Sequence, residues 1–222
     1  NSYPRSGSAK LKFILCNLEY PNVKHDFTTM SKYIPSIDNS DTRADGTSFG
    51  YMCTHSHIDS DIYLYRHVGD CLISEYWFKQ KFYPSDQTLE EFIIESNYGE
   101  LWRKSVEAGR AAKIQLSFND LNNPKALEKI FDYKCDLSNI KKAIDKCSFK
   151  SMAKVESDKG FYYLPKGNKN IPYMRKGTSN QWEDLPKDFR RKLCSKNDGE
   201  LKYLKLSYYD DLKGEYRNYD TR

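Results

Sequence analysis

The stretch Tyr3-Pro4-Arg5-Ser6-Gly7-Ser8 runs straight into Leu11, Ile14, Leu15 and Leu18, which recur at helical spacing. A basic residue, two serines and a glycine ahead of a helix start are how a chain wraps backbone N–H groups around an anion. A loop of this kind hangs off the end of a buried strand, so it commits the chain to a strand–loop–helix unit. Almost nothing precedes Tyr3, so further residues of that strand are expected upstream of residue 1. Ser6 to Ser8 are expected to supply the helix cap. The loop is not a Walker A motif, which needs four residues between its glycines and then Gly-Lys-Ser/Thr.

The remaining pattern agrees with such a unit. Strand-like runs with aromatic and β-branched character, "FGYMCTH", "DIYLYR" and "AKIQLSF", alternate with helical ones. Helices are expected over "GDCLISEYWFKQKF" from near Asp70, and as one or two over "TLEEFIIESNYGELWRKSVEAGR", where Thr88 and Glu91 have capping-box spacing. More are expected over "NPKALEKIFDY", "DLSNIKKAIDKCSFKSMAK", "EDLPKDFRRKLC" and "GELKYLKL". Residues 35–48 and 158–181 read as polar loops. The alternation predicts an α/β fold with a central parallel sheet flanked by helices.

The 222 residues suit a single domain over 1–222 with a sizeable core. The 18 tyrosines fill a core while satisfying a polar tip. No apolar run approaches the roughly 20 residues that span a bilayer, and no signal-like segment leads the chain, so no membrane partner is expected. The net charge of +5 is too mild and too evenly spread to argue for nucleic acid, but it fits a pocket for a multiply anionic small molecule. Cys16, Cys53, Cys71, Cys135, Cys147 and Cys194 show no CxxC spacing and read as free thiols in a reducing, cytoplasmic setting.

Three further segments carry candidate chemistry. In "THSHIDSD", His55, His57, Asp59 and Asp61 alternate as in the HxHxDH site of metallo-hydrolases. The last histidine of that motif is missing and only His67 lies downstream, so no metal is expected; a single histidine remains a candidate general base. In "DIYLYRHVGDCLIS", Arg66 at a strand end precedes Ser74 by eight residues, so both reach one phosphate. In "PYMRKGTSNQW", Arg175, Lys176 and Gly177 form a basic loop that folds over an anion.

Together, in this order, these segments resemble those of cytosolic-type sulfotransferases that use 3′-phosphoadenosine 5′-phosphosulfate (PAPS), and the resemblance covers nearly the whole chain. The family loop YPKSGTTW corresponds to Tyr3-Pro4-Arg5-Ser6-Gly7-Ser8-Ala9-Lys10. Its Lys-Thr-His with the catalytic histidine corresponds to Cys53-Thr54-His55, and YRDPRDVLVS to the run holding Arg66 and Ser74. L-x-Y-E-D-L appears as Leu116-Ser117-Phe118-Asn119-Asp120-Leu121, and T-S-F-x-x-M-K as the segment from Cys147 through Phe149 and Met152 to Lys154. Arg175-Lys176-Gly177 is intact. The departures are Lys10 for the adenine-packing tryptophan, Cys53 for a lysine, Ala9 for a threonine and Phe118 for a tyrosine. The later G-x-x-G-D-W pattern keeps only Gly177 and Trp182, and the short C-terminal dimerisation motif has no match.

The resemblance implies a P-loop NTPase-like three-layer fold and sulfuryl transfer from PAPS to a hydroxyl or amine of a small-molecule or glycan acceptor, with 3′,5′-adenosine bisphosphate (PAP) as product and no metal. His55 would be the general base and Arg5 would stabilise the leaving phosphate. The loop Arg5–Lys10, with Ser6, Gly7, Ser8 and Ala9, would hold the 5′-phosphosulfate. Arg66 and Ser74 would hold the 3′-phosphate under Arg175, Lys176 and Gly177. Phe118 would lie near the adenine, with Phe149 and Trp182 packing on it. The changes at Cys53, Ala9 and Lys10 leave a second reading open, a non-catalytic nucleotide-binding module. An ATP-dependent kinase lacks its Walker lysine and an acidic magnesium site here.

Overall fold

The computed structural model describes residues 1–34, 54–55, 60–131, 135–160, 170–210 and 215–217. Helix α1 (Ser8–Glu19) follows the N-terminal loop, and α2 (Phe27–Tyr33) packs on it. Strand β1 (Ile62–Tyr65) leads into α3 (Val68–Phe82), α4 (Leu89–Glu95) and α5 (Glu100–Gly109). Strand β2 (Ile114–Ser117) passes through a 3-10 turn into α6 (Pro124–Glu128), α7 (Leu137–Lys146) and α8 (Phe149–Lys159). After an irregular segment come α9 (Lys187–Lys196), α10 (Asp198–Tyr203) and an antiparallel hairpin of β3 (Tyr208–Asp210) and β4 (Glu215–Arg217).

The sheet places the loop. Strands β1 and β2 pair in parallel, Ile62 opposite Ile114. Ser2 bridges Leu64 in parallel on the other side of β1, and its N–H donates to the Thr54 carbonyl. Residues 1–2 therefore lie inside the sheet, between β1 and Thr54, and the loop leaves from there. Side chains alternate across β1 as strand geometry requires. Ile62 and Leu64 join a core with α1, α2, α6, α7 and α8. Tyr63 faces the other way, onto Ser105 and Gly109 of α5. A second core there holds Trp102, Leu72, Ile93, Leu193 and Leu201. The result is the three-layer α/β fold expected, with helices on both faces of a parallel sheet.

Several local expectations hold with adjusted bounds. Helix α3 starts at Val68 rather than Asp70, because His67 Nδ1 caps it by accepting from Gly69 N at 3.2 Å. The Thr88–Glu91 capping box forms, and the long apolar pattern after it breaks into α4 and α5 where Asn97, Tyr98 and Gly99 all take positive φ. The α1 cap falls within Ser6 to Ser8 as expected, on Gly7 at φ 108° with no side-chain hydrogen bond. One element lies beyond those expected. The helices at "EDLPKDFRRKLC" and "GELKYLKL" are followed by the β3–β4 hairpin, in a tyrosine-rich run that suits a strand. The 35–48 loop, most of "FGYMCTH" with Cys53, and His57 and Asp59 lie outside the described residues. No helix among the described residues is long and apolar enough to cross a membrane, and the five described cysteines are all free thiols.

The start of α3 is anchored by charge. Arg66 is 6% exposed and Asp70 1%, and Arg66 Nε lies 3.5 Å from Asp70 Oδ2. The Asp70 carboxylate also accepts from Asn180 N at 2.9 Å and Trp182 N at 3.1 Å. Burial pushes its pKa up, against the pull of Arg66 and these N–H groups. Deleting one partner of a buried pair strands the other charge. Asp70→Ala is expected to destabilise the fold by about 3–5 kcal/mol in urea denaturation, and removing Arg66 as well is expected to cost less than the two single losses added.

His67 is also buried; its Nε2–H donates to Ser207 O at 3.1 Å, and its ring stacks on Trp182 at 4.3 Å. Burial pushes its pKa down from 6.5 to about 3. Between those values the unfolded chain takes up a proton that the folded one refuses, so stability present above about pH 6.5 is lost as pH falls towards about 3. Urea midpoints measured through this range are expected to fall less steeply in His67→Asn, which retains a capping side chain.

Candidate functional site

The turn before α1 is built to show donors. Ser6 N–H folds back onto the Tyr3 carbonyl at 3.2 Å. Arg5 takes a left-handed φ of 70°, and its carbonyl accepts from Arg66 Nη1 at 3.3 Å. Gly7 packs so closely on Phe118 that a Cβ there would lie 2.8 Å from the ring. Without a side-chain cap, the first N–H groups of α1 have no intrahelical partner. Gly7, Ser8, Ala9 and Lys10 form one wall of a cavity of about 750 Å³.

Its other walls come from distant elements. Arg66, at the end of β1, lies over the Phe118 ring at 4.3 Å and donates to Thr178 O at 2.5 Å. Arg5 donates from Nε to Ser74 Oγ at 3.2 Å, and its guanidinium lies 4.8 Å from the Phe78 ring centre and 4.5 Å from that of Tyr173. Tyr173 belongs to a strap, residues 170–180, whose backbone is pinned by Glu156. That carboxylate accepts from Tyr173 N at 2.6 Å and Met174 N at 2.7 Å, and it pairs with Lys81 at 3.7 Å. Further along the strap, Arg175 bonds Gln181 and faces Trp77. Gly177, at φ 64°, lies against Phe149, where a Cβ would come within 2.2 Å of the ring.

Electrostatics single this cavity out. It is lined by seven cationic side chains, Arg5, Lys10, Lys12, Arg66, Lys79, Arg175 and Lys176, and by one carboxylate, Glu75. Burial, followed by the nearby charges of Arg66 and Arg5, pushes the pKa of Arg175 down. Like charges gathered in a partly dry cleft are relieved by a polyanion. His55 also lines the cavity, with Nδ1 2.8 Å from Ser2 O. A carbonyl only accepts, so Nδ1 carries the proton and the ring lone pair lies on Nε2, the tautomer a base needs.

Of the residues singled out in the sequence, Arg5, Gly7, Ser8, Ala9, Lys10, His55, Arg66, Ser74, Phe118, Phe149, Arg175, Lys176 and Gly177 all line this one cavity. Ser6 does not: its hydroxyl is buried against Cys71 Sγ at 3.6 Å. Trp182 is corrected from a ligand-packing role to a core one, 2% exposed beneath the site. His67, the histidine downstream of "THSHIDSD", is a buried cap of α3. Lys10 turns to Asn122 Oδ1 at 2.5 Å. Lys12, Glu75, Tyr173 and Gln181 were not singled out as ligand contacts; nothing in their local spacing marks them, because contacts distant in sequence bring them in. Among the described residues, no group of three or more His, Cys, Asp or Glu could hold a metal ion. Asp61 instead pairs with Lys113 on the surface at 2.7 Å.

No protein-family model matches the chain. Among curated proteins, a flavonol sulfotransferase-like protein of Flaveria bidentis is 27% identical over 151 residues, 55% of this chain and 48% of its own length. The chain thus spans about half the length of that relative. Among solved structures, retinol dehydratase in complex with androsterone and inactive cofactor PAP matches with a TM-score of 0.68 at 15% identity, over 90% of this chain and 79% of that one. Retinol dehydratase in a complex with retinol and PAP matches with the same TM-score and identity, over 90% and 80%. At that identity the structures show a shared fold. The sulfotransferase resemblance carried by the loop, the arginines and the strap is thus met by a sequence match to a sulfotransferase-like protein over half the chain and by a common fold over nine tenths of it.

Proposed function

We propose that this chain is the nucleotide-binding and catalytic part of a PAPS-dependent sulfotransferase acting in the cytoplasm on a small-molecule acceptor. The observation that carries the reading is the convergence of seven cations and one carboxylate on a cavity whose wall is an uncapped helix start behind a glycine loop. PAPS has two separated anionic groups, and the cavity has two matching receivers. The loop N–H groups with Arg5 suit the 5′-phosphosulfate. Arg66, Ser74 and the Arg175–Gly177 strap suit the 3′-phosphate. Phe118 and Phe149 supply ring faces for the adenine. The matched retinol dehydratase structures hold PAP together with androsterone or retinol. An apolar alcohol fits the Phe78, Tyr173 and Met30 walls here better than a glycan does.

In the reaction, the acceptor oxygen attacks sulfur and its proton passes to His55 Nε2. The bond between sulfur and the phosphate oxygen breaks, and its electron pair stays on the phosphate of PAP. Arg5 stabilises that developing charge. Arginine keeps its proton, so it serves electrostatically only. Phe78 and Tyr173, edge to face with each other at 6.1 Å, hold its guanidinium in the corner between their rings.

Calorimetric titration tests the nucleotide. PAP is expected to bind without metal and far more tightly than ATP with magnesium; absence of PAP binding rejects the reading. His55→Ala is expected to lower turnover by roughly 10²–10⁴-fold while PAP affinity stays unchanged. Equal loss of both would remove the base assignment. PAP binding without transfer to any phenol, alcohol or amine would favour the non-catalytic module.

A further inference from the structure

Lys12 stands apart from the other cations of the cavity. Each of the others has a partner: Arg5 has Ser74, Lys10 has Asn122, Arg66 has Asp70, Lys79 has Glu75, Arg175 has Gln181 and Lys176 has Asp184. Lys12 is only 9% exposed, lines the cavity, and makes no hydrogen bond or ion pair among the described residues. Its neighbour one turn on is the Cys16 thiol, which burial pushes up to about 12 and the Lys12 charge pulls back. Its ammonium opens on the cavity with no anion beside it among the described residues, which leaves a place for a ligand to supply one.

The position of Lys12 says which part of a ligand that is. Both anionic groups of the nucleotide already have receivers. Two residues along a helix turn by about 200°, so Lys12 projects from another side of α1 than Lys10, which reaches Asn122 next to the Phe118 turn. The remaining wall is apolar. Met30 of α2, Met152, Tyr173 and Met174 line it, and Tyr173 meets Phe27 of α2 edge-on at 5.6 Å. One unpaired cation in a cavity that also has an apolar wall is the recognition element for an amphipathic acid.

We infer that the acceptor is a hydroxylated organic acid, whose anionic group pairs with Lys12 while its apolar body lies on Met30 and Tyr173 and its hydroxyl meets His55. This rests on the sulfotransferase reading and narrows its acceptor. The probes are para-hydroxyphenylacetate and its methyl ester, titrated calorimetrically into the chain saturated with PAP. Wild type is expected to bind the acid at least about tenfold more tightly than the ester, the scale of one charged hydrogen bond. Lys12→Met is expected to erase that preference and Lys12→Arg to retain most of it, with PAP affinity in each variant reporting an intact fold.

Equal binding of acid and ester by wild type overturns the inference. So does a Lys12→Met variant that keeps the preference, or one that loses PAP affinity while Lys12→Arg keeps it, which moves Lys12 to the nucleotide. If wild type does not bind PAP, the sulfotransferase reading fails by itself. The same titration without PAP then decides the Lys12 site: a preference for the acid that disappears in Lys12→Met supports it, and no preference rejects it.

Discussion

The architecture of the site depends on the buried pair of Arg66 and Asp70. Arg66 closes β1, and Asp70 lies one turn into α3, so their 3.5 Å contact fixes how strand passes into helix. Each then reaches elsewhere. Arg66 holds the Arg5 carbonyl and the Thr178 carbonyl, and Asp70 holds the Asn180 and Trp182 N–H groups. One ion pair thereby joins the loop, the central strand, the helix carrying Ser74 and the strap that closes the cavity. A buried pair gives little net stability over apolar packing. Its value here is geometric: it sets the distances among four segments that no single stretch of chain could hold.

A second carboxylate does the same at the other end of the strap. Glu156, paired with Lys81, accepts the N–H groups of Tyr173 and Met174. The Tyr173 ring then meets Phe78 edge to face, and the two form a corner against Arg5. Guanidinium planes stack well on aromatic faces, and stacking leaves their N–H edges available. The cation that the proposed reaction depends on is therefore held by rings, and no carboxylate among the described residues pairs with it.

What the sequence made legible follows from how locally each feature is encoded. The loop, the Arg66–Ser74 offset and the Arg-Lys-Gly run are short patterns, and the structure brings all three to one cavity. Gly177 was readable as part of that run, though its reason, the approach of Phe149, was not. Glu156, Lys12 and Tyr173 gave no signal, since their roles arise from contacts such as Lys81 with Ile171, 90 residues apart. Trp182 misled because an aromatic near a basic loop looks the same whether it faces a ligand or, as here, stacks on a buried histidine. The β3–β4 hairpin was missed because the helical pattern before it fades into tyrosines that suit either state.

The left-handed backbone at Arg5 decides what kind of ligand the loop can tolerate. A non-glycine residue held at φ 70° costs on the order of 1–3 kcal/mol. The carbonyl it would otherwise show to the cavity is instead covered by Arg66, and the Tyr3 carbonyl is covered by Ser6. With these acceptors occupied, the mouth of α1 presents hydrogen-bond donors, which favour an anionic group over a cationic one. The twist in the main chain thus acts as a filter on the sign of charge, upstream of any choice made by side chains.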